Sequence, residues 1–254
     1  MPTVTFKGKI YPAWLKLDIN QPITMGWINQ TTNFRGEVVI TLSQGEITCQ
    51  CETNQFDPND IAPVWKEAFE LSAAVVNLAT FATGTATVLV FDTITYPSGQ
   101  TDPLKMADAA LGQLCTTISV TGPSMMEALH LAVREPQIHY ALHDLNEAMF
   151  FPNRQNINCA RVVETIRNLI HPTGKNDSRG AAWEKMQGVL NLSPDYVKLI
   201  SKGSEAHRHG NYEPFHGATV SEIMQRTWKI MDRFLQYRKR NSQPLTAPDF
   251  PLLD

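Results

Sequence analysis

Apolar and polar positions alternate with a period of two through much of the first hundred residues, and recur every three to four residues through most of the rest. The first spacing sends alternate side chains to opposite faces of a strand; the second gathers them on one face of a helix. The chain therefore reads as α+β: a small N-terminal β-sheet with a packed helix, followed by an all-α helical bundle. We place the two domains at 1–104 and 105–254, the second ending in an extended C-terminal tail.

In the first region, the run "TVTFKGKIYPAWLKLDI" is rich in β-branched and aromatic residues, and Pro12 should break it into two short strands or one kinked edge strand. "GEVVITLSQGEITCQCET" holds two alternating runs around Ser43-Gln44-Gly45, which predicts a hairpin with glycine in its turn. Asp60 is the expected N-cap of a helix over Ile61–Ala82, with Pro63 in the first turn and Gly84 as the stop. The apolar half of that helix, Leu71–Ala82, reads as buried core. Thr85–Pro97 follows as a central strand, because Val88 to Phe91 is continuously apolar.

Beyond Gly122-Pro123 the signal is helical. Pro136 should kink or divide the first long stretch, Pro172 and Gly174 end the next, and Ser193-Pro194 start another as N-cap and first-turn proline. Before these, "KMADAALGQLC" suggests one short helix. In "TVSEIMQRTWKIMDRFLQYRKR" the residues Val220, Ile223, Met224, Trp228, Met231, Phe234 and Leu235 form one apolar stripe. Met125 and Met126, like Met224 and Met231, read as core filling. The proline-rich tail is expected to be extended and docked by Phe250 and Leu252.

Composition narrows the function classes. The formal net charge is −3 and 19% of residues are charged, which argues against a protein devoted to wrapping nucleic acid but leaves room for a local basic patch. No basic start leads into an apolar run and no stretch is long enough to cross a bilayer, so a cytoplasmic protein without a membrane partner is expected. Cys49, Cys51, Cys115 and Cys159 read as small hydrophobes in a reducing compartment. Neither a glycine-rich phosphate loop nor an H-E-x-x-H pattern occurs, and no cofactor is expected.

Chemistry concentrates in the stretch Lys202–Gly217, "KGSEAHRHGNYEPFHG". Together with "RNLIHP" (Arg167, Asn168, His171) and a helical bundle around it, the segment "AHRHGN" (Arg208, His209, Gly210, Asn211) resembles the HEPN superfamily of small all-α domains. The resemblance covers the C-terminal half. It implies a helical architecture of bacterial type, an RNA or nucleotide partner, and a homodimer or protein partner. Ribonuclease members of that family space an arginine and a histidine by four to six residues. Here Arg167 and His171 have three residues between them, Arg208 adjoins His209, and Lys202 stands five residues before His207 in the arginine place. Lysine lacks the planar two-pronged grip of arginine on phosphate. We therefore expect a non-catalytic interaction protein, binding through Arg208 and His209 with Lys202, His207 and Asn211.

Two alternatives stay open. In a metal-independent ribonuclease of defence or toxin type, His207 or His209 would shuttle the proton and Arg208 hold the phosphate. In a metal-binding protein, His207, His209 and His216 would be ligands, with His207 and His209 on an extended segment. His139 and His143 share a helix face but lack a third ligand, which favours a half-buried structural role. The basic end of the last helix, with Arg233, Arg238, Lys239 and Arg240 and Tyr237 among them, is expected to lie at the same end of the bundle as the histidine loop and to add to phosphate binding.

Overall fold

The computed structural model describes residues 1–29, 33–105, 108–172, 179–208 and 217–254, with backbone alone at 29, 179, 206–208 and 217–218. It divides into two compact units, Met1–Lys105 and Met106–Asp254.

The first unit is a six-stranded antiparallel sheet with one helix on it. The strands are β1 (Thr3–Tyr11), β2 (Ile23–Asn29), β3 (Phe34–Ser43), β4 (Glu46–Thr53), β5 (Val88–Thr95) and β6 (Thr101–Pro103), in the order β2-β3-β4-β1-β5-β6. Period-two alternation is kept: Val4, Phe6 and Ile10 of β1, Val38, Ile40 and Leu42 of β3, and Leu89, Phe91 and Ile94 of β5 are all buried. They pack against helix α1 (Ala62–Thr83), which buries Val64, Ala68, Phe69, Ser72 and Val76. β1 is an interior strand rather than the expected edge strand; it runs unbroken to Tyr11, and Pro12 ends it. A register shift at Lys7/Gly8 bends it against β5, and a Cβ at Gly8 would collide with the Val90 carbonyl.

The hairpin turns through Gln44 (φ 53°) and Gly45 (φ 78°), the left-handed pair that suits the twist of a two-residue turn. Ile61, not Asp60, is the N-cap of α1, although the Asp60 carboxylate accepts the Ala62 N–H at 3.3 Å. Gly84 closes the helix at φ 64°. The apolar half of α1 is only partly buried, with Leu78 and Phe81 facing outward at 71% and 89% exposure. The edge strand β2 half-buries its inward side chains Ile23, Met25 and Trp27, which alternate with exposed Thr24, Gly26 and Ile28.

The second unit contains α2 (Ala109–Leu114), α3 (Pro123–Arg134), α4 (Pro136–Phe150), α5 (Gln155–Ile170), α6 (Arg179–Leu190), α7 (Pro194–Arg208) and α8 (Gly217–Lys239). Pro136 divides α3 from α4, as a residue without an N–H and with a fixed φ should. Helix α5 is the central post, in contact with α4, α6, α7 and α8. Its burial is nearly all round, through Cys159, Val162, Val163 and Ile166 and even Asn158 and Arg167. Helix α8 brings Ile223, Met224, Met231, Phe234 and Leu235 into the same core, with Val220 and Trp228 half-buried. Met125 and Met126, by contrast, are 42% and 53% exposed. Helix α3 buries none of its residues, so these methionines are surface groups and not core filling.

Phe250 docks the tail as expected, but Leu252 does not, and Leu245 and Leu253 take part as well. Leu245 is buried and donates its N–H to Val189, Leu253 pairs with Leu192, and Phe250 packs on the core, whereas Leu252 is 56% exposed. Arg233 holds this arrangement: buried, it donates to the carbonyls of Leu190 and Asn191 at 2.8 Å each and to that of Pro251. Two of those carbonyls end α6 and the third belongs to the tail, so one guanidinium satisfies acceptors that the helix leaves open.

Candidate functional site

Of the residues expected to act, His209, Asn211 and His216 lie outside the described residues, as do the side chains of His207 and Arg208. The backbone of α7 is helical through His207 to Arg208, so the stretch expected to be extended begins inside a helix. Lys202 is exposed on α7, while its neighbours Gly203 and Ser204 are buried. A Cβ at Gly203 would collide with Ile223 of α8, which accounts for this glycine as the crossing point of two helices. "KGSEAH" therefore owes part of its composition to packing.

Arg238 and Arg240 do not lie at the end of the bundle where α7 stops and α8 begins; the histidine loop itself falls outside the described residues. Gly203 abuts Ile223, and Arg226 lies 4.6 Å over the ring of Tyr196, so α7 and α8 run antiparallel. Arg208 is thus beside the start of α8. Arg238 is 21 residues beyond Gly217, or about 30 Å along a helix that rises 1.5 Å per residue. Arg240 is committed elsewhere, its guanidinium 5.2 Å over the ring of Phe250 in the tail. Arg167 is likewise structural: it is buried, stacked 4.8 Å over Trp183, and donates to Asn168 Oδ1 at 2.8 Å.

Arg238 does line a site, at the far end of α8. A cleft of about 360 Å3 opens between α3 and the last turn of α8. The α3 wall presents His130 and Arg134, with Ser124 and Glu127 a turn or two earlier; the α8 wall presents Arg238 and Lys239. Ala128, Leu131 and Leu235 supply an apolar side, and Thr117 closes it. The closing segment is held from α8 by Asp232, whose carboxylate accepts the N–H and the hydroxyl of Thr116 at 2.8 and 2.7 Å, and those of Thr117 at 2.9 and 2.6 Å. Four donors on one carboxylate fix this loop, and with it one wall of the cleft.

Two ion pairs bridge the cleft. Lys239 Nζ lies 2.9 Å from Glu127 Oε2, and Arg238 pairs with Glu135, which sits between α3 and α4. Arg238 also donates to Ser242 Oγ at 3.2 Å and rests over the ring of Phe234. Its Nε–H is buried with no hydrogen-bond partner, and Arg134 has no counter-ion among the described residues. The cleft therefore combines three permanent cations and a histidine with two carboxylates, an excess of positive charge beside an apolar wall. Such a lining suits an anionic ligand with an apolar or planar body. Of this set Arg238 and Lys239 belong to the basic helix end that the sequence singles out; Arg134 looks like an ordinary helix-end charge until the fold brings it to the same cleft.

A second cluster also escapes sequence reading. His143, Asp144 and Glu147 lie on one turn of α4, their ligand atoms within 4.8 Å of one another, a grouping that does not include His139. His143 is 57% exposed rather than half-buried, and His139 is exposed as well. Helix α5 answers both carboxylates: Arg161 lies 3.3 Å from Asp144, and Asn158 donates to Glu147 at 3.2 Å. Burial pushes the Asp144 carboxyl above its usual range, with Arg161 opposing. This cluster is a clamp between α4 and α5.

In the first unit Cys49 and Cys51 face α1 with their sulfurs 3.7 Å apart, the Cys51 hydrogen bond lowering the Cys49 thiol and raising its own. Both are buried, as small hydrophobes would be.

Among the described residues no helix is long and apolar enough to cross a membrane. Comparison with known proteins reaches the helical unit alone: residues 123–239, from the start of α3 to the end of α8, match a family model described as domain of unknown function (DUF8168), C-terminal domain. No curated protein and no solved structure matches the chain.

Proposed function

We propose that the second unit is a non-catalytic, HEPN-like binding module of the cytoplasm that takes RNA or a nucleotide by its phosphate, in the cleft between α3 and α8. The observation that carries this reading is Arg134, a cation without a counter-ion among the described residues, lining an open cleft together with Arg238 and Lys239. Arginine is the side chain best matched to phosphate, offering two parallel donors and a plane on which a base stacks. The apolar side chains of Leu131 and Leu235 suit the uncharged part of such a ligand. Four cysteines in thiol form accord with a reducing compartment. The matched segment begins and ends with the two helices that form the cleft, which supports treating the cleft as a feature of the module itself.

Fluorescence anisotropy of single-stranded RNA with the full chain tests this, with the RNA recovered afterwards and its length checked. We expect binding that weakens steeply with salt, because phosphate neutralisation releases counter-ions. Arg134→Ala should weaken it about ten-fold, the worth of one charge-assisted contact. Intact RNA at the end accords with a non-catalytic role. RNA degraded by the wild type but not by His209→Ala would replace this reading with the ribonuclease one.

A further inference from the structure

The cleft holds its own counter-charges. Glu127 and Glu135 reach across from the α3 side to Lys239 and Arg238, while Arg134 is unanswered among the described residues and the Arg238 Nε–H is buried without an acceptor. A ligand must therefore do more than bring one negative charge. A phosphodiester in a nucleic-acid backbone carries one charge. If it took the place of the Glu127 carboxylate on Lys239, it would exchange one monoanion for another and gain little. A terminal phosphomonoester carries about −1.5 to −2 at pH 7 and presents three strong acceptor oxygens. It could hold Lys239 and also pair with Arg134, which is exposed on the α3 wall.

From this charge balance we infer that the cleft recognises the terminal phosphate of a nucleotide, and that Glu127 gives up Lys239 when the phosphate arrives. The inference rests on the nucleotide-binding reading and deepens it. Shape agrees: about 360 Å3 is near the lower end of small-molecule sites, room for one nucleotide-sized body and not for a helical duplex. The same chemistry occurs in a free nucleoside monophosphate and in the phosphorylated end of an RNA strand. Glu127 and Lys239 are 59% and 51% exposed, so their pair holds the cleft weakly and exchange costs little.

The test uses the full chain and one short fluorescent RNA sequence, made with a phosphate or a hydroxyl at each end, and adenosine monophosphate or adenosine as competitor. The expected result is binding of a phosphate-ended RNA about ten-fold tighter than its hydroxyl-ended twin, matching one additional charge-assisted contact. Arg134→Ala should erase that preference, and Glu127→Gln should tighten phosphate-ended RNA several-fold by freeing Lys239. Both sites are exposed, and a melting curve confirms that each variant is folded. Displacement by adenosine monophosphate but not adenosine assigns the free nucleotide as a sufficient ligand; displacement by neither assigns the RNA end. Equal affinity for both RNA ends, still weakened by Arg134→Ala, overturns the terminal-phosphate inference and leaves RNA binding standing. Glu127→Gln that weakens binding overturns the exchange. No binding of any RNA or nucleotide overturns both.

Discussion

Arg233 shows why a charged residue inside a helical stripe need not be a functional one. Its position among the arginines near the end of the last helix is indistinguishable in the sequence from that of Arg238, yet it is buried and spends its donors on the carbonyls of Leu190, Asn191 and Pro251. Desolvation lowers the pKa of its guanidinium, which nevertheless stays charged. Removing it leaves the carbonyls of Leu190 and Pro251 without this donor, while that of Asn191 keeps the Leu253 N–H. Arg233→Ala should therefore lower stability by about 3 kcal/mol, read as a lower urea midpoint. The C-terminal tail should also become open to carboxypeptidase digestion, since Arg233 ties it to α6. Arg238, one helical turn further on, differs in one respect that matters: part of its guanidinium remains unsatisfied.

At the scale of elements, the pattern of the sequence specified what strong periodicity can specify. The β3–β4 hairpin, α5, α8 and the break at Pro136 follow from alternation, helical spacing and a missing N–H. β2 is weakly marked because its alternation of Ile23, Met25 and Trp27 with Thr24 and Gly26 is short, follows Pro22 and ends in the adjacent apolar pair Trp27-Ile28. β1 reads as an edge strand only if Pro12 is counted inside it, whereas the proline lies just past its end. The cleft is not legible at all, since Arg134 and Arg238 are more than a hundred residues apart and only the packing of α3 near α8 makes them neighbours. Helix α1 carries a testable electrostatic consequence. Burial raises the carboxyls of Glu67 and Glu70 above their usual value, so the folded state holds their protons more tightly than the unfolded chain does. Their contribution is then present at low pH and lost as pH rises through the raised values. The melting temperature should be higher at about pH 5 than at pH 7 as far as these two groups govern it. Glu67→Gln with Glu70→Gln should raise it at pH 7 and flatten that slope.

For the whole molecule, the two ends of α8 define two competing places for function. The start of α8 adjoins Arg208 and the histidine stretch; the end of α8 forms the basic cleft with α3. About 30 Å of helix separates them, so one small ligand cannot bind both. The proposed recognition is at the far end, through Arg134, Arg238 and Lys239, on a unit whose packed core is built from α4, α5, α6, α7 and α8. The most direct measurement is a backbone amide NMR titration of the full chain with adenosine monophosphate. Recognition in the cleft predicts saturable shifts confined to Thr117, Ser124–Arg134 and Leu235–Lys239. Shifts centred instead on the end of α7 and the first turn of α8 would contradict it and return the function to Arg208 and His209.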